Sequence, residues 1–489
     1  MKKLISKSFF LYFIGLIFIC TIFISCNSTK ASTFEVPQDS SKPNVPYSVS
    51  FAEKLRECLK TGTVEDALEL FNKVPKKYEN DLDIQFLHAS LLVSAGRLEE
   101  AGILTDKLLE IDKNNQIEKM KKEGLDPTKT KINQNQDLLM LAATIAKASG
   151  NKTKKTTLLK EILEKDPTNP EANVELAQEQ MLNKNYKLAK NYYSKGLEGD
   201  SDNEDALTGY GQASYYTGDD KESKEAFNKI LEKNPENSFA YYYLGKLAAE
   251  ENNYLQATEY IEKAIKLDND IFDYWMDYGQ YLRYRGKFKE AEKAWLTAKD
   301  LETDYFLSYA YLAGLYDEQN RFADALKMYK KVVELNPKYY FAYESLGMFA
   351  WHEKDYINAR LAFEKAYSMK AENISYPLMI AATYLKENNI PEAKKFLSKA
   401  LRNKSPTSVE YAMLRLYFDR LNDMQVAQKV LNTTDRNLKG KMLYYLGLFY
   451  EINGNDVMAE KYYTEVVNLE SPMFFEFRLA EWAVAERQQ

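Results

Sequence analysis

The strongest regularity in the sequence is a period in its apolar and small residues. Leu244-Gly245, Tyr278-Gly279, Leu312-Ala313, Leu346-Gly347 and Ile380-Ala381 follow one another at steps of 34, and Ala257, Ala291, Ala325, Ala359 and Ala393 keep the same step. A unit of that length holds two short helices and their turns. Extended both ways, the phase places unit starts at 48, 82, 136, 170, 204, 238, 272, 306, 340, 374, 408 and 440. The step from 82 to 136 carries 20 extra residues, and the step from 408 to 440 lacks two.

Three columns give the phase a physical meaning. Position 8 is Gly or Ala in ten of twelve units, with Leu55 and Arg415 departing; position 20 is Ala in ten of twelve, with Lys155 and Ser223 departing. Two helices that pack closely need small residues where they cross, so these columns are expected to face each other. Position 15 is Gly or Asn in ten of twelve: Gly62, Gly96, Gly150, Gly218, Gly286, Gly454, Asn252, Asn320, Asn388 and Asn422. A helix end needs a residue that accepts the left-handed conformation, and Gly and Asn do.

The stretch from Phe272, with Trp275, Tyr278, Gly279, Leu282, Ala291, Trp295 and Ala298, resembles the tetratricopeptide repeat, and the stretch from Phe306 adds Tyr309, Leu312, Tyr316, Ala325, Tyr329 and Pro337. The resemblance implies an all-α, right-handed solenoid of about twelve helix–turn–helix repeats over 48–471, closed by a C-terminal capping helix over 472–489. It also implies a concave groove lined by positions 2, 5, 9, 12 and 13 of the leading helices. Carried onto this chain, the partner-binding set is Gln178, Gln212, Tyr215, Tyr216, Phe239, Tyr242, Met276, Gln280, Arg283, Tyr284, Phe341, Met348 and Trp351, with Lys246 and His352 beside them. Exposed Tyr, Trp and Arg are the residue types that anchor interfaces. The Gln row either hydrogen-bonds an extended peptide or is a solvated column. The carboxylate clamp of chaperone-tail-binding members is not expected, because positions 5 and 9 lack its Asn and its paired basic residues.

The N-terminus reads differently. Lys2, Lys3 and Lys7 precede an apolar run from Phe9 to Ile24 that ends Ser25-Cys26. This is the plan of a secretory signal over 1–25, and the terminal Cys makes it resemble a bacterial lipoprotein signal, which implies acylation of Cys26. An uncleaved membrane anchor is the alternative. Residues 26–47, with Pro37, Pro43 and Pro46, read as a flexible tether. Cys58 is expected to be a buried, inert thiol on the first leading helix. The insertion near 116–135 carries Lys119, Lys121, Lys122, Lys129 and Lys131, and reads as a solvated loop or a contact for anionic lipid.

Composition removes most other chemistry. The net charge of −6 argues against nucleic acid as a partner. Two histidines, His88 and His352, lie far apart in the array, and no paired-Cys or Cys/His spacing suggests a metal, nor any Gly-rich loop a phosphate. No cofactor and no catalytic module are expected. Of 37 Tyr and 24 Phe, most fall on packing columns. The favoured reading is an extracytoplasmic, lipid-anchored scaffold of the bacterial cell envelope, on the periplasmic side, binding protein partners in assembly, secretion or transport complexes. The alternative is a carrier holding a small hydrophobic ligand in an aromatic-lined groove, which would need a closed apolar pocket.

Overall fold

Helix starts follow from local chemistry. Asn135, Asn169, Asn203 and Asn237 stand one residue before four successive leading helices, and their side chains accept from the backbone N–H groups of Leu138, Ala172, Ala206 and Ala240. Each bond satisfies one of the orphan donors of a first turn. At the same place in the next three repeats stand Ile271, Tyr305 and Tyr339, which make no side-chain cap. Here an aromatic ladder replaces the cap: Tyr305 meets Phe272 at 4.9 Å and Phe306 at 6.1 Å, and Tyr339 meets Phe306 at 5.1 Å.

Helix ends follow as consistently. Gly96, Gly150, Gly218, Gly286 and Gly454 have positive φ, as do Asn252, Asn320, Asn388 and Asn422. So do Lys184 and Lys354, which occupy the same column. The geometry of the turn thus persists where the residue does not favour it. Gly62 departs, with φ −121° and an extended backbone.

The computed structural model describes residues 46–127, 132, 134–469 and 474–488. The signal at 1–25, Cys26 and nearly all of the tether lie outside the described residues, as do Lys129, Lys131 and the start of the C-terminal segment. Among the described residues every regular element is helical, so the fold is an all-α solenoid.

The chain forms two compact units that meet at Pro235 and Glu236. In the first, leading helices Tyr47–Thr61, Leu82–Ser94, Gln136–Ala148, Pro170–Leu182 and Glu204–Thr217 alternate with trailing helices. The first trailing helix, Val64–Glu69, is only six residues long and passes into two 3₁₀ turns. The second, Leu98–Lys122, is 25 residues long. Lys119, Lys121 and Lys122 therefore ride on an extended helix rather than a loop, and Asn135 closes the insertion by donating its N–H to Asp112 at 2.8 Å. Cys58 is half-buried, not sealed in the core as expected.

The second unit holds leading helices Ser238–Glu250, Phe272–Tyr284, Phe306–Glu318, Tyr340–His352, Ser375–Lys386, Val409–Asp419 and Arg436–Ile452, each with its trailing partner, and then the helix Glu476–Arg487. Inside each pair the crossing is refined from expectation. A Cβ on Gly279 would lie 2.4 Å from Trp295 Nε1, on Gly347 2.8 Å from Phe363, on Gly245 2.9 Å from Ile261 and on Gly447 2.8 Å from Tyr463. The large side chain at position 24, more than the Ala at position 20, fills the notch. The position-20 departures find their own partners. In the first unit Ser223 donates to the carbonyl of Gly211 at 2.8 Å, and Lys155 pairs with Glu179 at 3.1 Å.

Candidate functional site

The leading helices place the expected groove residues unequally. In the first unit Gln178 is exposed, Gln212 and Tyr215 are half-buried, and Tyr216 is exposed and stacked on Tyr186 at 4.6 Å. In the second unit Phe239 is half-buried against Tyr243 at 4.8 Å. Gln280 donates weakly to the Tyr284 hydroxyl at 3.4 Å, and Arg283 pairs with Glu318 at 2.8 Å. Tyr284 and Phe341 are the widest-open aromatics of the set, at 52% and 50% exposure. Trp351 is half-buried against Tyr356 at 5.2 Å.

Three members of the set are not surface at all: Tyr242, Met276 and Met348 are buried. At these three places packing between repeats consumes the side chain, whereas Gln178, also at position 9, stays exposed. Tyr242 donates its hydroxyl to Asp277 of the next repeat at 2.8 Å, where Lys246 also approaches to 3.4 Å. Burial and the Asp277 carboxylate push the Tyr242 hydroxyl far above its ordinary range. It is a permanent donor there.

Met348 and Trp351 lie where a second element enters. The helix Glu476–Arg487 was expected to cover the open face of the last repeat. It does pack on the helices of that repeat, and it also reaches back to earlier helices of the second unit. Trp482 packs against Phe322 at 5.3 Å, Phe349 at 6.0 Å and His352 at 4.2 Å. Arg478 reaches the carbonyl of Asp317 at 2.8 Å. At its other end Arg487 pairs with Glu451 at 2.6 Å, and Glu451 also receives Lys386 at 2.6 Å. Burial alone would raise the Glu451 carboxyl; the two cations more than offset it and hold it low. Phe475 stacks on Phe363 at 5.7 Å and Tyr376 at 6.4 Å. The helix thus bridges the last repeat and earlier helices of the second unit, anchored by one tryptophan between two arginines.

Beside the start of that helix lie two acids missed by the sequence reading, Glu476 buried and Glu344 half-buried. Tyr376 donates to Glu344 at 2.8 Å, and the Tyr445 hydroxyl lies 2.9 Å from Glu476 and 3.0 Å from the carbonyl of Ser375. Burial raises the Glu476 carboxyl above its ordinary range. Burial likewise pushes Glu344 up to about 7. Nothing in the sequence hints at this, because Tyr376 and Tyr445, which meet these carboxyls, lie in other repeats. Next to Glu344 a cavity of about 300 Å³ opens between Ala310, Tyr329, Tyr339, Phe341 and Ser345.

Among the described residues no group of three His, Cys, Asp or Glu could hold a metal ion. Nor is any described helix long and apolar enough to cross a membrane.

These features define an all-α stack of helix pairs with glycine-notched crossings. The model of the tetratricopeptide repeat matches residues 209–271, 242–300 and 312–374. The chain thus carries tetratricopeptide repeats over residues 209–300 and 312–374. Solved structures similar to it include a tetratricopeptide repeat protein from Parabacteroides merdae (21% identity, 51% of this chain and 98% of that one, TM-score 0.38). Others are pilF of Pseudomonas aeruginosa (20%, 43% and 96%, 0.36) and YrrB, described as having an unusual peptide-binding site (21%, 38% and 95%, 0.32). No curated protein sequence matches the chain.

Proposed function

We propose that this chain is a scaffold that recognises helical segments of partner proteins, held at a bacterial envelope membrane by a lipid on Cys26. Repeats of this family bind protein partners and typically carry no catalysis. The observation that carries the reading is the helix Glu476–Arg487 seated on the last repeat and, through Trp482 and Arg478, on helices further back in the second unit. The surface accepts a helix by holding an aromatic in a slot and an arginine at each end. Aromatic and arginine anchors of this kind concentrate binding energy. The open aromatics Tyr216, Tyr284 and Phe341 extend the same kind of surface. The membrane part rests on the residue order at 1–26 alone. The carrier reading draws less support, since the cavity at Phe341 is open and includes Glu344 and Ser345 in its wall.

The test is affinity capture from detergent-solubilised envelopes, with proteins and extracted lipids measured together. The comparison bait carries Tyr216→Ala, Tyr284→Ala and Phe341→Ala. Loss of a specific protein partner from that bait supports the scaffold. Enrichment of a small molecule with no protein, lost in the same bait, moves the assignment to the carrier. For the anchor, Cys26→Ala is expected to move the chain from the membrane to the soluble fraction; an unchanged distribution overturns the lipid.

A further inference from the structure

We propose that the cavity between Tyr339, Phe341 and Glu344 is a binding site for an organic monocation of the alkylammonium or guanidinium class. The site goes beyond the scaffold reading and stands without it.

Its walls come from consecutive parts of the array. Tyr339 ends the aromatic ladder that replaces the helix caps, and Phe341 follows two residues later on the leading helix Tyr340–His352. Their ring centroids lie 5.6 Å apart at 55°, so the two faces meet at an angle rather than stacking shut. Tyr340 backs Phe341 at 4.0 Å and fixes its orientation. Phe341 remains half exposed although a leading-helix aromatic has packing partners available. Aromatic faces carry negative quadrupole and attract cations.

Glu344 supplies the charge. It lies one helical turn from Phe341, on the same face, and lines the cavity. Tyr376 donates to one of its oxygens at 2.8 Å. Among the described residues no cation comes within ion-pair distance. The charged and titratable groups around it are the hydroxyl of Tyr376, the carboxyl of Glu476 and the ammonium of Lys441, with Tyr329 and Tyr340 nearby. Glu476 works against its ionisation and Lys441 in favour. A half-buried carboxyl with no cation beside it is costly to ionise, and a cation entering from the cavity would offset that cost. The space of about 300 Å³ suits a side-chain-sized group. The aromatic walls favour a weakly hydrated organic cation over a small inorganic ion. A guanidinium is the better fit, since it stacks on rings and donates in a plane to a carboxylate.

The experiment titrates the full chain with n-butylguanidinium and, as a neutral isostere, n-butylurea, by calorimetry. One-site binding of the cation and none of the urea is expected. Glu344→Gln, which keeps an acceptor for Tyr376, is expected to weaken the cation at least about tenfold; Phe341→Ala is expected to weaken it several-fold. In the parent chain affinity rises between about pH 5.5 and pH 8 as Glu344 ionises, and Glu344→Gln removes that slope. A short peptide with a central arginine then separates the sources. Tighter binding than n-butylguanidinium points to a partner's side chain, and equal or weaker binding to a free small cation. Equal binding of the urea, no binding of either cation, or unchanged affinity in a normally folded Glu344→Gln overturns the site.

Discussion

Arg478 donates from its Nη2 to the carbonyl oxygen of Asp317 at 2.8 Å, joining residues 161 apart in sequence. The carbonyl belongs to the last turn of the helix Phe306–Glu318, where a positive charge is favourable. The same arginine pairs with Glu481 one turn on, which orders it before it reaches across.

This contact and its neighbour Trp482 can be removed separately from the repeats. Trp482→Ala is expected to cost about 2–3 kcal/mol, less than a fully buried tryptophan, because its ring is only half-buried. Hydrogen exchange is the measurement. Amides of Glu476–Arg487 are expected to lose protection, while those of Ser238–Glu250 keep theirs. Uniform loss along the second unit would show that the helix is inseparable from the stack.

The glycine notch offers a second check. Gly279→Leu drives a side chain into Trp295, whose Nε1 donates to the carbonyl of Met276 at 3.0 Å and so cannot turn away freely. The expected cost is about 1–3 kcal/mol from overpacking, read from thermal unfolding. A midpoint equal to the parent's would mean that Trp295 does not fill the position as described.

Lys354 holds φ at 61° with no compensating feature of its side chain, in a column where most repeats use Gly or Asn. Lys354→Gly is therefore expected to stabilise the second unit by about 0.5–1 kcal/mol, the left-handed penalty less the extra chain entropy of glycine. Chemical denaturation measures it. A destabilised variant would show that the lysine makes a stabilising contact outweighing its backbone cost.

Glu344 makes stability depend on pH. Its folded value, about 7, lies above the ordinary carboxyl value of 4.5. The folded chain then binds the proton more tightly than the unfolded chain. Its contribution is complete below about pH 4.5 and is lost as pH rises through about 7. The side chain is not sealed from water, so the change is on the order of 2 kcal/mol. Urea midpoints across this range should fall in the parent and flatten in Glu344→Gln. Parallel profiles would remove Glu344 as the cause.

How much of this was legible depends on the range of the interaction. The αL column, the small residues at position 8 and the start of each leading helix are set within one repeat or between adjacent ones, so a period in the sequence carries them. Tyr242 was misjudged for the same reason in reverse. The family groove places it at the surface, yet Asp277 of the next repeat provides a hydroxyl acceptor that draws it in. Arg478, Trp482 and Glu476 meet partners several repeats away, and no period records such a pairing. The acids Glu344 and Glu476 look like solvated helix residues until Tyr376 and Tyr445 of other repeats are brought against them. The exchange of Asn caps for Ile271, Tyr305 and Tyr339 was visible as a column change, and its meaning emerged only from the ring contacts.

The returning helix also changes how the second unit would respond to force. A simple stack pulled from its end peels one repeat at a time, each step about as hard as the last. Here a pull on the C-terminal end is borne first by Arg487 on Glu451, Trp482 in its aromatic slot and Arg478 on Asp317 together. The trace expected in a single-molecule stretch is one high initial rupture followed by a staircase of smaller ones. The helix Glu476–Arg487 thus acts as a latch on the repeats that precede it.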